Sequence, residues 1–260
     1  MTTVINCPGI DVFLAPFEIY FHRSEGRELA ESYVAGLLMT GERKSVEPMS
    51  ERVNASERGM QRLLSTVKWD EQGVAALYRR IMLAATADPA GLLVLDDTGF
   101  PKKGRDSVCV ARQYCGATGK TDNCQVGVSM SYVGTDVAWR QGDLREQVWL
   151  LIERRPLTKG GYELRYFFSN MPQHLPTIDL ARLYHERYWI EQGYQQLKEE
   201  LGLDHHEGRS WIGWHRHVLL VFMAYGYLSL LQVQEKKRQL TGKWKGWLLS
   251  RSILGREYFI

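Results

Sequence analysis

The chain has 260 residues, 44% of them hydrophobic and 24% charged, with a formal charge of +3. That length buries a sizeable core and suits one main domain with smaller helical parts, and the ordinary globular composition excludes a low-complexity or fibrous class. The mildly basic balance permits nucleic-acid binding without establishing it.

No apolar run reaches the roughly 18 residues of a membrane span, and the longest, Val218–Leu231, contains Gly226 and Ser229. A buried helix is expected there, and no membrane partner. No basic segment followed by an apolar run opens the chain, so a cytoplasmic location is expected. Cys7, Cys109, Cys115 and Cys124 have no CxxC spacing, which favours reduced, mostly buried thiols over zinc or disulfides.

Residues 1–88 read as mostly helical. Ser24–Leu38 carries Leu29, Tyr33, Leu37 and Leu38 at helical spacing, with Gly41 as a stop. The stretch Arg43–Met49 reads as a turn, with a short helix from Ser50 to Val53. Helices follow at Gln61–Val67 and Asp70–Ala87, the latter capped by Asp70. Arg43, Lys44, Arg52, Arg58, Arg62, Lys68, Arg79 and Arg80 make this part basic, suited to DNA phosphates or simply to a solvated helical surface.

Gly91–Gly99 is an apolar run ending in Asp96 and Asp97. It reads as a buried central strand with the acids emerging where the strand gives way to a loop. Paired acids there are costly unless a cation compensates them, and Asp oxygens are natural ligands for a divalent metal; a capping or loop role is the alternative. Lys102 and Lys103 follow closely, as phosphate contacts or as a polar turn. Ser107–Tyr114 and Cys124–Tyr132 read as strands around a turn, forming an antiparallel hairpin beside Leu92–Leu95. A second hairpin, Gln147–Arg154 with Tyr162–Ser169, turns at Lys159-Gly160-Gly161.

Leu180–Lys198, rich in Glu, Gln, Arg and Leu, reads as one helix, with Thr177 or Asp179 as its cap. With Tyr184 at zero on a helical wheel, Arg187, Glu191 and Lys198 fall at roughly 300°, 340° and 320°, a narrow polar stripe. Leu183, Ile190, Tyr194, Leu197 and Leu201 form an apolar stripe beside it. A carboxylate flanked by Arg and Lys suits a wall holding metal and phosphate; solvated i, i+4 pairs such as Arg187–Glu191 are the plainer reading.

The spacing Tyr184-x2-Arg187-x3-Glu191-x6-Lys198 resembles the Y-R-E-K signature of bacterial insertion-sequence transposases with a DDE, ribonuclease-H-like catalytic domain. The block DDTGFPKKG…SVCVARQYCGATGKTDNCQVGVSMSY resembles the first catalytic block of the same family, and Gly202-Leu203-Asp204-His205 with Arg209-Ser210 continues the likeness. The resemblance implies an α/β fold: a ribonuclease-H-like mixed sheet with helical parts before and after it. The expected division is a helical, DNA-binding part at 1–88, the catalytic core at 89–205 and a helical region at 206–260.

The resemblance further implies metal-dependent cleavage and strand transfer at transposon ends, with Mg2+ or Mn2+ as cofactor and double-stranded DNA (transposon ends and target) as partner. Asp96 is the first choice for the first carboxylate, Asp97 the second, and Glu191 is the last. Asp96 and Glu191 would hold metal. Tyr184, Arg187 and Lys198 would position phosphates and stabilise charge at phosphorus. Lys102, Lys103, Arg209 and Arg216 would contact DNA, with Trp211 and Trp214 either beside them or packed in the core.

The pattern breaks in the middle. The family places a second catalytic Asp on a further strand reached through a crossover helix, and a parallel crossover needs about a dozen residues plus the strand. Only Val133–Glu146 separates the two hairpins, so this chain resembles an internally deleted member. Asp136 and Asp143 are the acids available there. The alternative function is therefore a catalytically inactive, transposase-derived DNA-binding protein. A lost strand would also leave the Leu92–Leu95 edge open unless another segment, or a second copy in a homodimer, covers it.

Overall fold

The computed structural model describes residues 9–88, 91–133, 149–157, 160–169, 174–185, 188–240 and 257–259. The N-terminal part is helical. It comprises α1 (Ile10–Leu14), a 3-10 turn over Ala15–Tyr20, α2 (Ser24–Leu38), α3 (Val46–Arg52), α4 (Glu57–Ser65) and α5 (Glu71–Thr86). The side chains of Ser56 and Asp70 accept the backbone N–H of Gly59 and Gly73, capping α4 and α5. Helix α3 begins four residues before the expected Ser50. Pro48 is no obstacle because it sits in the first turn, where a backbone N–H has no helical acceptor.

A sheet follows: β1 (Leu92–Pro101), β2 (Ala111–Cys115) and β3 (Lys120–Val133), in the order β1-β3-β2. The β2–β3 hairpin turns at 116–119, with Gly119 at φ +66°. β1 pairs antiparallel with β3 over its whole length, Asp96 opposite Ser129. The expectation that the strand ends at Asp96 is corrected: pairing with 124–128 carries β1 on to Pro101, so the acids lie in mid-strand. Nor is it buried on both faces. Leu93 and Leu95 point outward into solvent, while Val94 packs on the core.

β4 (Trp149–Pro156) and β5 (Tyr162–Ser169) form a separate antiparallel hairpin. Helices α6 (Thr177–His185), α7 (Tyr188–Glu199) and α8 (Trp211–Leu240) follow, and a short β6 (Glu257–Phe259) pairs with the end of β3. Thr177 and Asp179 lie inside the first turn of α6 rather than at its cap, and residues 186–187, Arg187 included, fall outside the described residues. The architecture is α/β, and every strand pair among the described residues is antiparallel.

One apolar core joins the N-terminal helices to α7 and α8. Phe17, Tyr33, Leu37, Met60, Tyr78 and Met82 meet Ile190 and Leu197 of α7 and Leu220, Val221 and Ala224 of α8. Helix α8 packs against α2, α4 and α5. Its Gly226 lets the Tyr78 ring approach so closely that an added Cβ would lie 2.5 Å from it. By length and composition Trp211–Glu235 would span a membrane, but half of that window is buried inside the fold, as suits a core helix.

Candidate functional site

The inner face of the sheet is where α7 meets β1. Tyr194 Oη donates to the Asp96 carbonyl at 3.2 Å and shares a 2.5 Å hydrogen bond with Ser129 Oγ. One turn on, Lys198 Nζ donates to Thr98 Oγ1 at 2.7 Å and to the Gly99 carbonyl at 3.0 Å, lying over the Phe100 ring. The helix therefore runs alongside β1 in the same direction. Strand alternation puts Asp96 on the face of Ser129, toward α7, and Asp97 on the opposite, solvent face with Val128. Glu191 lies exposed one turn before Tyr194, about 4.5 Å back along the axis.

Partial burial pushes the Lys198 amine below its usual range, with Asp204 and Cys115 pulling the other way. A cavity of about 370 Å³ opens beside this wall, lined by Thr98, Ser129, Tyr194, Trp211, Trp214 and Phe222. Leu203, from the segment after α7, lines one side. Lys102 Nζ donates to the His206 carbonyl at 3.2 Å and lies 5.7 Å from the Trp214 ring, its amine also pushed down by burial. The Lys44 N–H donates to His205 Nδ1 at 2.9 Å, and Arg43 pairs with Glu207.

Behind it His217 Nε2 donates to the Gly202 carbonyl at 3.1 Å, so its Nδ1 accepts the Tyr33 hydroxyl at 2.8 Å. Burial pushes His206 down to about 4 and His217 down to about 3, so this joint is neutral.

The DNA-facing set divides. Lys103 is exposed, and Arg209 is exposed with Asp106 at 3.2 Å. Arg216 is corrected: it is only 7% exposed, its Nε and Nη2 each 2.6 Å from Glu71 and its Nη1 donating to the Leu63 carbonyl at 2.9 Å. It is a core cation joining α8 to α4 and α5. Of the paired aromatics, Trp211 is exposed with its ring tilted against that of His215, while Trp214 packs edge-on against Phe100. Tyr184 is half-buried on α6 with its ring edge-on to His185. Sequence reasoning missed Tyr194, Thr98 and Ser129. The helical wheel counted Tyr194 in the apolar stripe, which describes its ring and hides its hydroxyl.

A family model described as Transposase DDE domain matches residues 89–226, and another described as DDE superfamily endonuclease matches residues 16–142. The first spans more than half of the chain and takes in β1, the Asp96 block and all of α7. The chain belongs to the DDE transposase family. A curated relative from Microchaete diplosiphon, named "Probable transposase for insertion sequence element IS701", is 35% identical over 75 residues. That alignment covers 29% of this chain and 20% of the relative, so the chain spans about a fifth of the relative's length in this match. No solved structure matches.

Family chemistry rests on divalent metal held by carboxylates, and the described residues do not complete such a set. Among the described residues no group of three His, Cys, Asp or Glu side chains is placed to hold a metal ion. Asp96 and Glu191 lie at the same wall, but two carboxylates leave most of a hard cation's oxygen positions unfilled. Asp136 and Asp143 lie outside the described residues.

Proposed function

We propose that this is an insertion-sequence transposase chain that engages double-stranded transposon-end DNA and, on its own, does not complete cleavage and strand transfer. The observation carrying this reading is the clamp of α7 on β1. Tyr194 and Lys198 hold the Glu191 helix against Asp96, while no third carboxylate joins them among the described residues. In this reading Lys103 and Arg209 take phosphates at the surface, and Lys102 and Lys198, partly buried cations, sit against Trp214 and Thr98 of the cavity where a strand would lie. Asp96 and Glu191 are the retained ends of the carboxylate set, and the protein works in the cytoplasm.

A labelled transposon-end duplex tests both halves. A gel shift is expected, weakened by Lys103→Ala and Arg209→Ala, with no nicking in Mg2+ or Mn2+. The second reading, an active transposase completed by Asp136 or Asp143, follows from the same clamp. It becomes the correct one if cleavage appears and is lost in both Asp96→Ala and Glu191→Ala. Absence of any gel shift sinks both readings.

A further inference from the structure

A second cavity, of about 590 Å³, lies where α2, α3 and α4 meet the segment 205–213. It shares no lining residue with the cavity beside α7. Tyr33, Leu64 and His206 of its lining are buried, and Glu47 and Glu57 are exposed.

His206 marks this cavity as a site. The residue is only 8% exposed, and its Nε2 has no hydrogen-bond partner among the described residues. That nitrogen faces two glycines of the cavity wall: an added Cβ would lie 2.4 Å from it at Gly208 and 3.5 Å from it at Gly213. Burying a polar atom without a partner costs free energy that a ligand's N–H recovers. Burial and the Lys102 cation push the imidazole down to about 4, so it is neutral and offers a nitrogen lone pair.

Charge decides the class of ligand. Glu207 is compensated by Arg43, and Arg209 by Asp106 at 3.2 Å. Glu47 and Glu57 remain, and the 2.7 Å partner of Glu57 is the neutral amide of Gln61. The cavity therefore attracts a cation. Among the described residues no three His, Cys, Asp or Glu side chains converge as metal ligands. Acids that do not converge suit a cation whose charges are also spread out. Val46, Leu64 and the Tyr33 ring supply apolar surface for the carbon chain joining those charges.

We propose that this cavity binds a linear polyamine, its ammonium groups at Glu47 and Glu57 and one N–H donated to His206 Nε2. The site is separate from the α7 wall, and its occupancy depends on neither DNA nor cleavage.

Isothermal titration calorimetry of the full chain with spermidine at pH 7.5 tests this. One-to-one binding is expected. It should weaken at least ten-fold in Glu57→Gln and in His206→Phe, which keeps a ring and removes the acceptor. Glu28→Gln, an exposed acid outside the cavity, should leave it unchanged. n-Butylamine, with one ammonium, should bind at least ten-fold more weakly than spermidine. Circular dichroism checks the fold of each variant, and exposed Glu57 carries the test on its own if His206→Phe does not fold. Equal affinity in all variants would mean diffuse attraction to surface acids and would overturn the proposal. Equal affinity for butylamine, or no saturable binding at millimolar spermidine, would overturn it too. A normal gel shift on transposon-end DNA beside absent spermidine binding would sink this site alone.

Discussion

Removing the Arg216 side chain separates two meanings of a cation. Arg216→Ala deletes two 2.6 Å contacts to Glu71 and the 2.9 Å donation to the Leu63 carbonyl, and takes a guanidinium from the Trp69 ring. Breaking a buried pair by removing one partner costs about 3–5 kcal/mol. Two features reduce that figure. Glu71 keeps partial access to water, and it sits in the first turn of α5, where the helix dipole favours its charge.

The stranded Leu63 carbonyl adds about 1 kcal/mol back. The sum is about 3 kcal/mol, which for a chain of this size lowers the melting temperature by about 6–12 °C. Glu71→Gln keeps an acceptor for the guanidinium and should cost less than half as much. Thermal unfolding by circular dichroism is the assay, beside a gel shift at a temperature where both proteins are folded. The variant should melt early and bind DNA normally. An unchanged melt with lost DNA binding would refute the reasoning and return Arg216 to the DNA-facing set.

The neutral histidine joint makes stability depend on pH with a definite sign. Burial holds His206 near 4 and His217 near 3 in the folded chain, whereas an unfolded imidazole takes its proton near about 6.5. The unfolded state therefore binds more protons between those limits, so stability is full above about 6.5 and declines as pH falls toward 4. The urea midpoint should be lower at pH 5 than at pH 7.5, and His206→Gln should flatten that slope; equal midpoints would contradict the buried, neutral assignment. At the wall itself, Lys198→Met and Thr98→Val should each destabilise and should couple by about 1 kcal/mol in a double-mutant cycle, given their 2.7 Å contact. Additive effects would mean that the pair is not joined in solution.

What the sequence disclosed and what it hid follow one physical division. Helix α2 was legible from end to end, because its apolar spacing is a local property that its own 15 residues carry. Both hairpins were legible for the same reason: glycine-bearing turns flanked by strand-forming runs. β1 was misjudged at its C-terminal end because Asp96–Pro101 is strand by virtue of its partner, 23 to 33 residues away. The start of α8 was missed likewise. Trp211, His215 and Arg216 look like surface chemistry until Glu71, 145 residues earlier, claims the guanidinium. At the site, the pattern of Glu191 and Lys198 was visible as a stripe, but which of two adjacent aspartates faces the helix is decided by strand alternation. That required the register with β3.

The α7 clamp also says something about how such a chain can age. Tyr194 reaches the Asp96 carbonyl, Lys198 the Gly99 carbonyl, and Lys102 the His206 carbonyl. A main-chain oxygen is present whatever residue occupies its position, so substitution at Asp96 removes a carboxylate without removing the acceptor that ties α7 to β1. A chain can therefore lose that carboxylate and still fold, because the tie between helix and strand runs through the main chain.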